Sequence, residues 1–344
     1  MKKKKKGGDC MYQRILFTEP GVAKLCDYEL EAPSKGEVQV RIYVSSISSG
    51  TERANLVGDR NVSPHCGEME PVFPRSGGYS SAGVIEAIGE GVENLKVGDR
   101  VALSWSFHGQ MLNIDQNLVY KLEDSVSFED AALFHISIFP LAAIRKCRLE
   151  LGESAMVMGM GVLGLVSLKL LRQAGAAPII AVDPMPEKRE KALKCGADYA
   201  LDPYADDFAK TVKKLTGGGV KVAIEVTGVG KALDGVLDCM AKFGRVALLG
   251  CSRSKDFTID YYRKVHGPGI TLVGAHTDAR PQHESSTGWW TQWDDVQAVH
   301  KLTALGRLHL SEIVDEVHSP KDATEVYHRL ATEKSFPMVQ FDWR

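Results

Sequence analysis

A glycine turn set between an apolar run and a helical stretch constrains this chain more than any other feature. Ala155-Met156-Val157-Met158 reads as a buried strand and Gly159-Met160-Gly161-Val162-Leu163-Gly164 as a tight turn opening a helix. Ile179-Ile180-Ala181-Val182-Asp183 then reads as a second strand ending in an acid. Strand, glycine turn, helix, strand and acid in that order describe a βαβ unit built for a dinucleotide. Gly159 permits the turn, Gly161 lets the backbone approach a pyrophosphate, and Gly164 lets the helix pack closely on the strand. The helix that follows, Leu165 to Gln173, presents its positive end and unpaired N–H groups to the phosphates, and Val162 and Leu163 within the turn are expected to bind the cofactor with the glycines.

The acid lies about 20 residues past the motif, where a ribose contact requires it. A carboxylate at Asp183 accepts hydrogen bonds from the ribose hydroxyls and would repel a 2′-phosphate, so NAD is expected in preference to NADP. Lys188 and Arg189 lie close by and temper that preference.

At 344 residues, 44% hydrophobic and 25% charged, the chain is long enough for two globular domains, each with its own core. A formal net charge of -2 offers no general field for nucleic acid or an anionic membrane, which leaves a small-molecule substrate as the expected partner. The run Lys2 to Lys6 reads as a solvated tail. No apolar segment of a signal peptide follows it, and no window has the roughly 18 apolar residues of a membrane span. The cytoplasm is the expected compartment. The seven cysteines (Cys10, Cys26, Cys66, Cys147, Cys195, Cys239, Cys251) are scattered and form no C-x-x-C pair, which argues against a disulfide framework or a clustered structural zinc site.

From about Gln13 to Ala132 short alternating runs and glycine turns predict a β-rich, barrel-type domain, with strands over 37–44, 82–89 and 99–103. After Pro140 strands alternate with helices. Strands are expected at 155–158, 179–182, 222–226, 245–249 and 270–273, with helices at 164–174, 187–195, 208–215 and 231–241. That spacing predicts an α/β, doubly wound parallel sheet. Past about His276 the alternation stops, and a tryptophan-rich segment leads to a helix near 294–305 and strands near 313–317 and 338–341.

With these features in hand, the chain resembles the medium-chain dehydrogenase/reductase, or alcohol dehydrogenase-like, family from Gln13 to its end. Gly89-Glu90-Gly91-Val92 through Lys96-Val97-Gly98-Asp99-Arg100-Val101 is similar to that family's hairpin, and Val226-Thr227-Gly228 to its strand-end turn beneath the nicotinamide. The resemblance implies a Rossmann domain inserted into a GroES-like catalytic domain, with boundaries at 1–137, 138–277 and 278–344. It also adds Lys188, Thr227, Gly228, Gly250 and Ala275 to the expected cofactor-binding residues, and implies a homo-oligomer, dimer or tetramer.

Departures from the family pattern concern the metal. Where zinc members carry a ligating Cys, His and later Glu or Cys, this chain has Ser49 (in Ser49-Gly50-Thr51-Glu52), Tyr79 (in Gly78-Tyr79-Ser80) and His135. Serine and tyrosine hydroxyls stay protonated near neutral pH and are poor zinc ligands. The family's four-cysteine structural lobe is also missing, since 102–116 contains no cysteine. A zinc-independent member is therefore expected. Hydride transfer without the metal still needs a proton carrier and a stabiliser for the developing alkoxide. The resemblance brings Ser49, Thr51, Tyr79 and His135 toward one cleft. Thr51 falls where the family's relay hydroxyl lies, and His135 is the one group titrating near neutrality. Glu52 is expected to orient the loop, to position a substrate hydroxyl, or simply to pair at the surface.

Trp289, Trp290 and Trp293, with Ser285-Ser286-Thr287-Gly288, His283 and Gln292 nearby, suit either a sugar ring and its hydroxyls or packing at an interface. His276 is expected near the nicotinamide carboxamide. The function expected from these readings is an NAD-dependent secondary alcohol–ketone oxidoreductase acting on a sugar, polyol or cyclitol. An NADPH-dependent quinone or enone reductase and a non-catalytic nucleotide-binding protein stand as alternatives.

Overall fold

The computed structural model describes residues 11–62, 70–254 and 256–344. The lysine run, Cys10 and Cys66 lie outside them. The chain divides into two compact units, one running to His135 and resumed at Val314–Arg344, the other formed by Ile136–Ile313.

The first unit is built from strands β1 (Met11–Glu19), β2 (Val22–Glu29), β3 (Glu37–Ser46), β4 (Arg75–Ser76), β5 (Ser80–Ile88), β6 (Arg100–Ser104), β7 (Met111–Asp115) and β8 (Val119–Lys121), with helices α1 (Ser49–Val57) and α2 (Phe128–Ala131). Helix α3 (Phe134–Lys146) begins at its end. In the second unit β9 (Ala155–Met158), β10 (Ile179–Val182), β11 (Tyr199–Leu201), β12 (Val220–Glu225), β13 (Met240–Leu248) and β14 (Thr271–Gly274) alternate with α4 (Val162–Gln173), α5 (Pro186–Lys194), α6 (Phe208–Thr216) and α7 (Gly230–Asp238), and α8 (Gln292–Ala304) follows. The chain then returns to the first unit through β15 (Glu316–His318), α9 (Ala323–Thr332) and β16 (Val339–Asp342).

The first unit's long β3 is flanked by β16 and β5, in a sheet ordered β15-β16-β3-β5-β6-β8, with β7 also pairing β3. A smaller sheet has the order β2-β1-β4. Alternation places Val38, Val40, Ile42 and Val44 inside, and Phe17, Tyr327 and Phe341 fill a second core, with the Phe17 and Tyr327 rings edge-on at 5.0 Å.

The second unit's parallel sheet runs β11-β10-β9-β12-β13-β14. Its central strands β9 and β10 are buried along their whole length, as expected for strands covered on both faces. The short β11 was not foreseen, because Tyr199-Ala200-Leu201 is only three residues long, exposed or half-buried, too short to show a strand pattern. Arrangement and order are those of a doubly wound Rossmann sheet.

The second crossing between units falls between Ile313 and Val314, not near 278 as the sequence suggested. Residues 278–313 stay with the Rossmann sheet because side chains tie them there. Arg145 bonds Asp295 at 3.1 and 3.2 Å, Lys169 meets Glu312 at 2.5 Å, and Gln173 donates to the Arg307 carbonyl at 2.6 Å.

Candidate functional site

The carboxyl ends of β9, β10, β12 and β13 carry a set of closely fitted turns. Gly159 has φ +103°, which favours glycine, and a Cβ there would meet Thr227 Cγ2 at 2.8 Å. A Cβ on Gly164 would stand 1.9 Å from the Gly159 carbonyl oxygen, so α4 packs on the turn at a distance only glycine permits. A Cβ on Gly161 would meet nothing within 4 Å. The backbone at Gly161 therefore lies open to an approaching group at the N-terminus of α4, as the pyrophosphate reading requires. Gly228 and Gly250 press against one another, since a Cβ on Gly250 would lie 2.3 Å from the Gly228 nitrogen.

Asp183, one residue past β10, is buried, and its carboxylate braces the turn. Oδ2 accepts from the Met160 N–H at 2.8 Å and Oδ1 from the Met185 N–H at 2.9 Å. Each oxygen keeps one further acceptor site for a ribose hydroxyl. Arg189 donates to the carbonyls of Asp183 and Pro184, both at 2.8 Å, while Lys188 is half-buried on α5. Glu225 at the end of β12 was missed by the sequence reading. It is buried, and its oxygens accept from the N–H groups of Thr227 at 2.7 Å and Gly228 at 3.1 Å. Burial pushes this carboxyl up, against the hydrogen bonds. The signal was an acid closing a strand just before the Val226-Thr227-Gly228 turn. Ala275 follows β14 and is buried, whereas His276 bonds within its own turn to Thr277 and Asp278.

In the first unit, Tyr79 follows a Gly77–Gly78 turn and donates its hydroxyl proton to Ser48 Oγ. Its ring meets His135 at 5.6 Å and Trp105 at 6.0 Å, and His135 meets Trp105 edge-on at 4.5 Å. His135 is 1% exposed, Tyr79 is half-buried and Trp105 is exposed. Of the four residues expected in one cleft, the structure brings Tyr79 and His135 together and sets Ser49 one residue beyond the Ser48 hydroxyl. Thr51 is exposed on α1, where its carbonyl accepts from Asn55.

Glu52 is not a surface ion-pair partner. It is 2% exposed, and its Oε2 accepts from Tyr327 at 2.5 Å and lies 3.0 Å from His108 Nε2, while Oε1 accepts from the Ser48 N–H at 2.7 Å. Burial and the carboxylate push the Tyr327 phenol well up, which keeps it a donor. Trp343 donates to Ser45 Oγ at 2.9 Å, leaving the Ser45 proton for His108 Nδ1 at 2.7 Å and the Nε2–H for Glu52. A Cβ on Gly78 would sit 2.7 Å from this imidazole. Glu52 thus joins the start of α1 to Tyr327 and to the His108 ring against which Gly78 packs. His108, Tyr327 and Ser48 escaped the sequence reading because no spacing links them.

This donor set does not suit a tetrahedral zinc. Tyr79 is committed to a neighbouring hydroxyl, Glu52 to three donors, and serine adds no thiolate. Among the described residues no group of three His, Cys, Asp or Glu side chains converges as a metal site.

Around the tryptophans, Arg145 lies 3.5 Å over the Trp290 ring and Lys146 4.9 Å from that of Trp289. Burial draws the Lys146 amine down to about 8 and pushes Asp295 up to about 6. Trp289 and Trp293 remain exposed.

Comparison with known proteins places both units in one class. Residues 34–122 match the alcohol dehydrogenase GroES-like domain, and residues 162–287 match the zinc-binding dehydrogenase family. The (R,R)-butanediol dehydrogenase of Bacillus subtilis (strain 168) is 36% identical over 182 residues, covering 45% of this chain and only 53% of the relative. D-guloside 3-dehydrogenase of Escherichia coli (strain K12) is 25% identical over 336 residues, covering 92% of this chain and 95% of its own. The crystal structure of the Bacillus subtilis 2R,3R-butanediol dehydrogenase superposes with a TM-score of 0.81 at 25% identity, covering 96% of this chain and 99% of that one. The chain belongs to the medium-chain dehydrogenase/reductase, alcohol dehydrogenase-like family, and is a pyridine-nucleotide-dependent dehydrogenase. Among the described residues no helix is long and apolar enough to cross a membrane.

Proposed function

We propose that the chain is an NAD-dependent, zinc-independent oxidoreductase that interconverts a secondary alcohol and a ketone on a polyhydroxylated substrate. The observation that carries the reading is the pairing of Tyr79 with His135, two of the three positions where the family resemblance puts metal ligands, with the Tyr79 hydroxyl bonded to Ser48 beside the third, Ser49. The nucleotide, when bound on the turns of Gly159–Gly164, Thr227–Gly228 and Gly250 with its ribose at Asp183, supplies the hydride acceptor. The chain's own residues handle the proton. Tyr79 offers a phenolic oxygen to the substrate hydroxyl, and the His135 imidazole, in ring contact with Tyr79 at 5.6 Å, carries the proton. Glu52 and His108 keep the Tyr79 turn in place. The relatives named for a diol and a sugar glycoside support the alcohol and polyol parts of the reading. Assay of metal-free protein with NAD and a panel of polyols, cyclitols and simple secondary alcohols tests it. NADH formation with polyols is the expected result, and activity confined to NADPH with quinones or enones would overturn it.

A further inference from the structure

Between β14 and α8 the second unit holds a cavity of about 500 Å³ that the cofactor reading does not use, lined by Ser285, Ser286, Thr287, Trp290 and Asp294. Its walls are rigidly built. Ser286 and Trp289 exchange backbone hydrogen bonds of 2.7 and 2.9 Å around the Thr287–Gly288 turn, and Thr291 N donates to Ser285 Oγ at 2.9 Å. The Arg145 guanidinium, itself bonded to Asp295, stacks 3.5 Å over the Trp290 ring and supports it. Asp294 receives Ser285 and Thr291 on Oδ2 alone, so among the described residues its Oδ1 keeps full acceptor capacity. Two exposed hydroxyls, a supported indole and an ionised carboxylate form one compact set, and two more exposed indoles, Trp289 and Trp293, stand beside it.

We infer that this cavity is a carbohydrate-binding subsite, with a sugar or cyclitol ring packed on Trp290, its hydroxyls donating to Asp294 Oδ1 and accepting from Ser286 and Thr287. An aromatic face matches the C–H face of such a ring, and a carboxylate with flanking hydroxyls matches its alternating O–H groups. An apolar alcohol offers one hydroxyl to this carboxylate and its flanking hydroxyls, whereas a polyhydroxylated ring can meet all of them, so the set favours polyhydroxylated ligands. The inference rests on the polyol reading above and deepens it.

Saturation-transfer NMR on the cofactor-free protein tests the site, with methyl β-D-glucopyranoside and myo-inositol as probes and 1-hexanol as the apolar comparison. Transfer to the ring C–H protons is expected for the two probes. Trp290→Ala and Asp294→Asn should each weaken binding about 10-fold or more. Thr287→Val with Ser286→Ala, both at exposed positions, carries the same test if the first variants fold poorly. Absence of transfer at tens of millimolar probe, or transfer unchanged in every variant, would overturn the subsite. So would sedimentation showing that Trp290→Ala splits an oligomer without altering probe binding, since the platform would then serve a second copy of the chain. Turnover is read separately. Probe binding without NADH formation from any polyol would refute the proposed reaction and leave the subsite standing, whereas polyol turnover with unaltered variant binding would do the reverse.

Discussion

Asp183 Oδ2 accepts the Met160 N–H at 2.8 Å, which ties the end of β10 to the glycine turn following β9. One carboxylate therefore braces the glycine turn from inside and keeps an acceptor site on each oxygen for the proposed ribose contact. Asp183→Ala should accordingly weaken NAD binding by about 10-fold or more, given about 1.5–3 kcal/mol for a hydrogen bond to a charged group. NADP should lose less, because the repulsion of its 2′-phosphate disappears together with the acceptor. Titration of both nucleotides against wild type and variant gives the ratio of dissociation constants. An unchanged ratio would remove Asp183 from the ribose site.

Zinc is the second question. Protein purified without chelator is expected to contain no stoichiometric zinc, and its activity should survive chelator treatment, because Ser49 and Tyr79 supply hydroxyls where a metal needs ionised or imidazole donors. Elemental analysis with an activity assay on the same sample checks it. One zinc per chain, lost together with activity, would show that other residues hold a metal.

Tyr79→Phe retains the ring contacts with Trp105 and His135 and removes only the hydroxyl that reaches Ser48. A loss of about 10²–10⁴ in kcat/KM at unchanged Tm is expected if that oxygen handles the substrate proton. His135→Gln should lower kcat/KM by about 10²–10⁴ if the imidazole carries the substrate proton. A variant with normal turnover would leave His135 a packing residue between two aromatic rings.

The nucleotide half of the site was legible because its residues are neighbours in sequence. Glycine spacing from Gly159 to Gly164 and an acid at a strand end are local consequences of backbone geometry, and so were the strands around them. The first unit's site was not legible in the same way. Glu52 meets His108 and Tyr327 only after α9 returns from the far end of the chain, and nothing local distinguishes a buried carboxylate on α1 from an exposed one. The same holds for 278–313, whose place beside the Rossmann sheet is set by Arg145 reaching Asp295, a contact across 150 positions.

That Arg145–Asp295 contact has a pH signature. Burial outweighs the arginine and lifts the Asp295 carboxyl to about 6, above its unfolded value of about 3.9. The folded state therefore binds the proton more tightly than the unfolded chain. The contribution to stability is fully present below about pH 4 and is lost as pH rises through about 6, amounting to up to about 3 kcal/mol. Asp295→Asn keeps an acceptor for Arg145 and cannot ionise. Its stability relative to wild type should thus rise between pH 4.5 and pH 7 by about 2 kcal/mol, measured by urea unfolding at both values. A constant difference would mean that Asp295 titrates normally.

The last two glycines of the turn separate folding from binding. A methyl group on Gly164 would fall 1.9 Å from the Gly159 carbonyl, inside any allowed contact, so Gly164→Ala must push α4 off β9. It should cost about 1–3 kcal/mol or more in stability and remove nucleotide binding with it. Gly161→Ala places its methyl where nothing stands within 4 Å, at a residue whose φ of −78° suits alanine, and should leave Tm nearly unchanged. If the pyrophosphate lies against that backbone, the same methyl occupies its place and nucleotide affinity should fall about 10-fold or more. Thermal unfolding and nucleotide titration of both variants check this. Normal affinity in Gly161→Ala would mean that the pyrophosphate lies elsewhere, whatever Gly164→Ala does to the fold.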